Sequence, residues 1–375
     1  MRNPRLVRWI VPAAALALVI GAGGLSMSAS AKDSLPPRTA EQLLVDVQNA
    51  KPQPLSGVVE TSSNLGLPAM PGMGGPHGGG ESPLGVLAGT NTFRVWVGAH
   101  DQQKVAWVTA RAETSVVHNG SDVWVWDSGK KTADHIVLPA VPDRPVTPHA
   151  TPSGMPSTPA EAAQQVLALL DKTTTVSVDK QVSVAGRAAY ELVLTPKSTV
   201  TRVKGVRIAV DGETKLPLRV QVVSTVTNAP AISVGFTSVT FGTPDPAVFT
   251  FTPGPGVSVT TTTIPTASPE EIRKAIDEAK AKREGTDKPA ILKAKPTVTG
   301  TGWDTVVAGK ADLNGSDSKD SDLGSILDML PTRTGAWGTA RVLDGTLVSA
   351  VVTDDGRFAV GAVSPETLLA ALPAS

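Results

Sequence analysis

The chain has 375 residues, 34 Lys and Arg against 34 Asp and Glu, 18% charged residues and no cysteine. Its length predicts two domains or one large domain with an appendage, and its 35 glycines and 31 prolines predict many turns rather than long helices. The balanced charge offers no electrostatic footprint for nucleic acid, and the lack of thiols excludes a disulfide framework, a Cys-ligated metal, a thiol nucleophile and a lipid-modified cysteine.

The first residues read as an export signal. Arg2, Arg5 and Arg8 precede an apolar run over 10–27, and Ala29-Ser30-Ala31 forms an A-x-A site before Lys32. The run approaches the ~18 residues that can cross a bilayer, so cleavage after Ala31 and an uncleaved N-terminal membrane anchor both stay open. In either case the remainder is expected to be extracytoplasmic.

Thr39-Ala40-Glu41-Gln42 has the form of a capping box. It predicts a helix to about Ala50, with Leu43, Leu44 and Val47 on one face and Pro52 and Pro54 beyond its end. A related start recurs at 158–161, 268–271 and 364–367, each with proline at the first helical position; the last has Thr367 where the others have Glu. One further helix is predicted near 323–330.

Nearly all the rest reads as strand. The first group is 55–63, 92–99, 104–111, 114–120, 122–128 and 135–139; the second is 175–184, 189–196, 203–212, 216–225 and 232–242. Short connections make neighbours antiparallel, giving a large meandering sheet. In 245–257, DPAVFTFTPGPGV, Phe249 and Phe251 alternate with threonines before a Pro-Gly run, which predicts a closing strand and a chain exit. Pro/Gly-rich loops at 65–85 and 139–157 interrupt the sheet. Past it come a charged helix over 267–285, a linker, and from about Thr297 a tail. The tail shows a strand around Trp303, a polar insert at 314–322, three strands and a last helix at LLAAL. The expected division is 1–31 signal or anchor, 32–257 β domain, 258–296 helix and linker, and 297–375 a small α+β module.

Chemistry is scarce. The chain contains no G-x-S-x-G elbow, no H-E-x-x-H and no phosphate-binding G-x-x-x-x-G-K-[ST]. Its histidines (77, 100, 118, 135 and 149) have no ligand spacing. His77 with Met70 and Met73 could take copper, but the setting is a Gly/Pro loop tip. Asp312-Leu313-Asn314 opens a faint calcium-loop pattern that lacks the glycine and the closing glutamate. The lysine-rich helix over 270–284 reads as a solvated face, with anionic lipid as its alternative partner. No enzyme activity, metal or cofactor is expected.

An export signal, a first amphipathic helix, LSGVVETS, a meander, a mid-chain helix, DGETKLPLRVQV and DPAVFTFTPGPGV together resemble the LolA/RseB-like family of extracytoplasmic carriers and sensors, in an actinobacterial style. The likeness covers about 39–257. It implies an open antiparallel half-barrel, mainly β, covered by helices, whose apolar face receives acyl chains or a lipidated partner. Trp96, Trp107, Trp124 and Trp126 are candidates for one wall of such a cavity, and Leu192, Leu194, Ile208, Val220 and Val222 for the other. Both groups also suit an ordinary packed core. If the tryptophans are core, the opposite strand face around Val95, Val97 and Val108 is the place for a ligand. Two functions follow from the resemblance: a non-catalytic carrier of lipid or lipoprotein acyl chains, or a sensor that regulates a membrane anti-sigma partner through its second domain.

Overall fold

The computed structural model describes residues 35–66, 89–98, 101–108, 112–139, 158–168, 172–264, 296–311 and 327–373. The export signal, most of both Pro/Gly-rich loops, the helix at 267–285 and the polar insert lie outside these residues.

The first helix, α1 (Ala40–Asn49), begins as its sequence predicts: the Gln42 amide donates to Thr39 Oγ1 at 3.3 Å, and the Thr39 amide donates to Gln42 Oε1 at 3.0 Å. Two of the four orphan donors at the helix start are thereby satisfied. Leu43 and Val47 are its buried residues.

Thirteen strands then form one large sheet. They are β1 (Leu55–Ser63), β2 (Gly89–Val97), β3 (Gln102–Val108), β4 (Glu113–Asn119), β5 (Asp122–Asp127) and β6 (Thr132–Val137), followed after α2 (Pro159–Ala168) by β7 (Thr174–Val178), β8 (Val182–Val184), β9 (Arg187–Pro196), β10 (Val203–Asp211), β11 (Pro217–Ser224), β12 (Pro230–Phe241) and β13 (Ser258–Thr263). Their order is β13-β6-β5-β4-β3-β2-β1-β12-β11-β10-β9-β7, with β8 paired to β9. The two meanders are joined where β1 lies against β12, Leu55 opposite Phe241 and Ser63 opposite Ile232. The edges β13 and β7 do not meet, so the sheet is an open, mainly antiparallel half-barrel.

The stretch 245–257 is not the closing strand. Pro246–Phe249 is a 3₁₀ turn whose cap is Asp245, with its carboxylate taking the Ala247 amide at 2.9 Å. The chain then runs outside any ladder to a turn at 254–257, where the Val257 amide donates to the Gly254 carbonyl at 3.3 Å. The strand that leaves the sheet is β13, in residues expected to be linker, and it pairs with β6 in parallel, Ser258 opposite Thr132 and Thr263 opposite Val137. A parallel pairing on the far edge requires a crossover. Passing from β12 to β13 over β1–β6 takes seven strand spacings, ~34 Å at ~4.8 Å each. Residues 242–257 are long enough to cover that distance even with the turns at 246–249 and 254–257. The segment is therefore a strap laid across the sheet.

The tail forms a second sheet of six strands, order β14-β15-β19-β18-β17-β16. They are β14 (Thr297–Thr299), β15 (Val306–Lys310), β16 (Thr332–Gly335), β17 (Gly338–Asp344), β18 (Ser349–Thr353) and β19 (Arg357–Gly361), with α3 (Pro365–Ala370) packed over them. The core beneath α3 holds Val306, Ala308, Val342, Val351, Ala359 and Leu368. Ser364 caps α3, accepting from the Thr367 amide. The expected strand at Trp303 is instead a 3₁₀ turn, Gly302–Asp304. Its Trp303 indole donates to Thr174 Oγ1 at 2.8 Å and packs at the margin of the large sheet's core. The aromatic ring thus ties the tail to the half-barrel instead of sitting in a ladder.

Candidate functional site

The pairing register defines the two faces of the large sheet, because cross-strand partners point the same way and side chains alternate along each strand. Phe93 lies opposite Val59, and Val59 opposite Phe236. Two residues on, Val234 lies opposite Val220, then Ile208 and Leu192 follow. One apolar face therefore runs from β2 to β9.

The β9–β11 part of that face is packed shut. Leu43 and Val47 of α1 and Ala162 and Ala163 of α2 sit in one cluster with Tyr190, Leu192, Leu194, Val206, Ile208, Val210 and Val220. Leu192, Leu194 and Ile208 are 0% exposed and Val220 4%. These candidates form the seat of the helices. Val222 is half-buried at the margin of this cluster and of the junction with the second sheet. Val182, Val184 and Ala185 of the β8–β9 hairpin close the next part, packing with Leu55, Val59, Phe93 and Val95.

Trp107 stands where this cover ends. It is half-buried and packs against the second cluster with Val97 and Val105. The same face continues across β3–β6: Val105 lies opposite Val116, Val116 opposite Val125, and Val123 opposite Ile136. Each of these five is half-buried. They make an apolar stripe, extended by Trp107, on a face that also carries His118 opposite Val123 and Asp134 opposite Val125; α1 lies near β7 and α2 near β11 and β12, away from it. The sequence signal for it was present. Alternation is clear in β5, where Val123 and Val125 interleave with Trp124 and Trp126, and is weaker in β4 and β6. Of the residues expected on the alternative face, Val95 is 1% exposed and Val97 is half-buried.

The other three tryptophans point away from Trp107. Trp96, Lys104, Val117, Trp124 and His135 form one cross-strand row. Trp124 and His135 stack at 4.1 Å with their planes 4° apart, and His135 Nε2 lies 2.6 Å from Asp122 Oδ1. Phe251 of the strap leans on Trp124 at 5.2 Å and on Trp126 at 5.7 Å. Phe249 is fully buried, its ring 2.9 Å from where a side chain at Gly98 would begin. Hence the face shared by Phe249 and Phe251 is the seat of the strap, and Trp124 and Trp126 form part of it. Trp96 is half-buried with the Lys104 ammonium 5.5 Å from its ring.

The buried charges are structural. Glu191, 3% exposed, pairs with Arg207 and, at 3.1 Å, with Arg219. Asp211 takes two bonds from Arg187 at 2.6 and 3.0 Å and one from the Thr214 amide at 2.7 Å. Burial alone would raise the Asp211 carboxyl, but Arg187 and Thr214 overcome it and hold the group below the ordinary carboxylate value. Asp211 in turn raises Arg187. Among the described residues no cluster of three or more His, Cys, Asp or Glu is arranged to hold a metal ion, and no helix is long and apolar enough to cross a membrane.

Neither a scan against protein-family models nor a search of curated proteins finds a match. Solved structures do match. The Pseudomonas aeruginosa MucA/MucB complex is 14% identical, with a TM-score of 0.34 over 88% of this chain and 95% of the other. A Nitrosomonas europaea LolA-superfamily protein is 12% identical, with a TM-score of 0.20 over 57% of this chain and 99% of the other. A Vibrio parahaemolyticus outer-membrane lipoprotein-sorting domain is 9% identical, with a TM-score of 0.21 over 56% and 95%. The chain is similar to proteins of the LolA/RseB-like family.

Proposed function

We propose that the protein is an exported, non-catalytic binding protein that holds the acyl chains of a lipid or lipoprotein against the apolar face of β3–β6. The observation that carries this reading is the continuity of Val105, Trp107, Val116, Val123, Val125 and Ile136 on one half-buried face. A flexible hydrocarbon needs apolar area and no directed hydrogen bonds, which the valine stripe offers, while His118 and Asp134 on the same face suit a polar headgroup.

A second reading is a sensor that passes ligand binding on to a membrane-protein partner. It is favoured by the buried Arg202, which joins the two sheets and could transmit a change in one to the other.

The test has two parts. Native mass spectrometry of protein purified from its host's membranes should show a co-purifying acyl mass. Val116→Glu and Val125→Glu should then abolish displacement of a fluorescent fatty acid while lowering the melting temperature less than a charge in the sealed core would, since both positions are only half-buried. Full binding in both variants would overturn the assignment of this face.

A further inference from the structure

One end of the large sheet carries exposed apolar side chains that the proposed function does not use. β9 and β11 finish, and β10 and β12 begin, at this same end, since Val206 lies opposite Leu194 and Val203 opposite Ser224. The 197–202 loop and the 225–229 turn therefore emerge side by side. The Thr225 amide donates to the Arg202 carbonyl at 2.9 Å, and the Thr225 hydroxyl to the Thr201 carbonyl at 3.4 Å. The 345–348 turn of the second sheet joins them where the Ser224 hydroxyl donates to the Thr346 carbonyl. Three turns are thus bonded into one rim.

Each turn exposes a valine. Val200 is 53% exposed, Val226 54% and Val348 46%. Beneath them Val203, Ala231 and Leu347 are buried, so the rim divides its apolar residues into a packed layer and a layer left in water. Exposed apolar side chains scattered singly need no explanation, but a group of them on neighbouring turns marks a contact surface. The charge around them has one sign. Lys172, Lys197 and Lys204 are exposed beside the rim. Lys197 donates to the Lys172 carbonyl and Lys204 to Asn228 Oδ1, each at 2.8 Å, so both ammonium groups rest on neutral oxygens. Residues 196–204, 224–230 and 345–348 contain no aspartate or glutamate. The carboxylate bonded into the rim, Asp344, is already taken by Arg202 and, at 3.8 Å, by Arg333.

We propose that this rim docks on the surface of an anionic bilayer, its three valines entering the boundary between headgroups and acyl chains while the lysines meet lipid phosphates. Shallow apolar insertion flanked by basic side chains is the usual means of reversible attachment to such a surface. Other occupants fit less well. A second copy related by a two-fold axis would set lysines against lysines. A folded partner must match the spacing of three separate turn tips, whereas lipid deforms to accept them. Docked in this way, the chain stands on the bilayer at the junction of its two sheets, apart from the acyl face on β3–β6.

The chain has no cysteine, so one introduced thiol places a probe at one position. Val226→Cys bearing an environment-sensitive fluorophore should brighten and shift to the blue on vesicles of phosphatidylcholine mixed with phosphatidylglycerol. The same probe on Ser238→Cys, exposed farther along β12, should report water throughout. The reading is local, so an N-terminal membrane anchor does not by itself produce it. Val200→Glu, and Lys197→Glu combined with Lys204→Glu, should each weaken the vesicle response about tenfold or more. Salt at about 1 M, where the screening length is ~3 Å, should weaken it as well. Val116→Glu, on the acyl face, should leave it unchanged. An unshifted probe at 226, an equal response at 238, an equal response to phosphatidylcholine alone, a full response in folded Val200→Glu, or its loss in Val116→Glu would each overturn the proposal. So would a dimer in light scattering that Val226→Glu abolishes, which would assign the rim to a second copy.

Discussion

At the scale of single residues, the four tryptophans of the first meander divide by parity. Trp124 and Trp126, two apart, share a face as alternation requires, and Phe251 touches both. Trp107 takes the opposite face. The shared side of Trp124 and Trp126 was legible in the sequence; that Trp107 faces away from them, against the expectation of one wall, depends on strand register and was not. Trp107→Glu should therefore weaken fatty-acid binding with a modest loss of stability, whereas Trp124→Ala should loosen the strap and cost about 2 kcal/mol in a thermal melt without affecting binding. Equal behaviour of the two would contradict the division. A second residue-scale expectation concerns acid. The Thr353 hydroxyl, then Arg357, holds the Asp355 carboxyl down at about 2 against an ordinary 3.8. A carboxyl depressed on folding contributes stability above its unfolded pKa and loses it as pH falls through the folded one. Asp355→Asn should thus flatten the acid limb between about pH 4 and 2, and an NMR titration of Asp355 with an ordinary midpoint would refute the cause.

At the scale of elements, the starts of the helices were the most legible features. Thr39 with Gln42, and Ser364 before Pro365, act through neighbours three residues away, so local sequence suffices. The strap was misread for a physical reason. Period-two alternation reports that every second side chain is buried, and a segment lying flat across a sheet buries every second side chain just as a strand in a ladder does. Phe249 and Phe251 meet that condition without one ladder bond. The Asp245-Pro246 pair, which favours a turn, and the prolines at 253 and 255 were the contrary signal. The consequence is testable. Phe249→Ala removes a fully buried ring and should cost ~3 kcal/mol or more. The less buried Phe251→Ala should act locally, speeding amide exchange in β13 and β6 while β9–β11 stay protected. Uniform acceleration across the sheet would mean that the strap is part of the global core.

At the scale of the whole molecule, the issue is how the two sheets are joined. Composition placed a boundary after the Pro-Gly run, yet the chain returns from there to add β13 to the first sheet, and the tail docks on it again. Arg202, 8% exposed, donates to the carbonyls of Val363 and Gly345 and to Asp344. The Ser224 hydroxyl donates to the Thr346 carbonyl at 2.6 Å, and the Thr346 amide to Leu65 at 2.9 Å. Val203, Ala231 and Leu347 form a small apolar cluster beside them. A junction with this many directed bonds and so little apolar core resembles an interface that holds two independently folded bodies rather than one continuous core. Its sequence signal is absent because an arginine in a β-rich segment looks like any solvent-facing one until the carbonyls that satisfy it are known. Cutting the chain after Thr263 leaves Arg202 in water, where a guanidinium is at ease, so the half-barrel should still unfold cooperatively. Arg202→Ala in the full chain should instead separate one calorimetric transition into two and raise the radius of gyration in solution scattering. A single unchanged transition would show that the apolar cluster and Trp303 alone hold the modules together; an insoluble truncated chain would show that the second sheet completes the first.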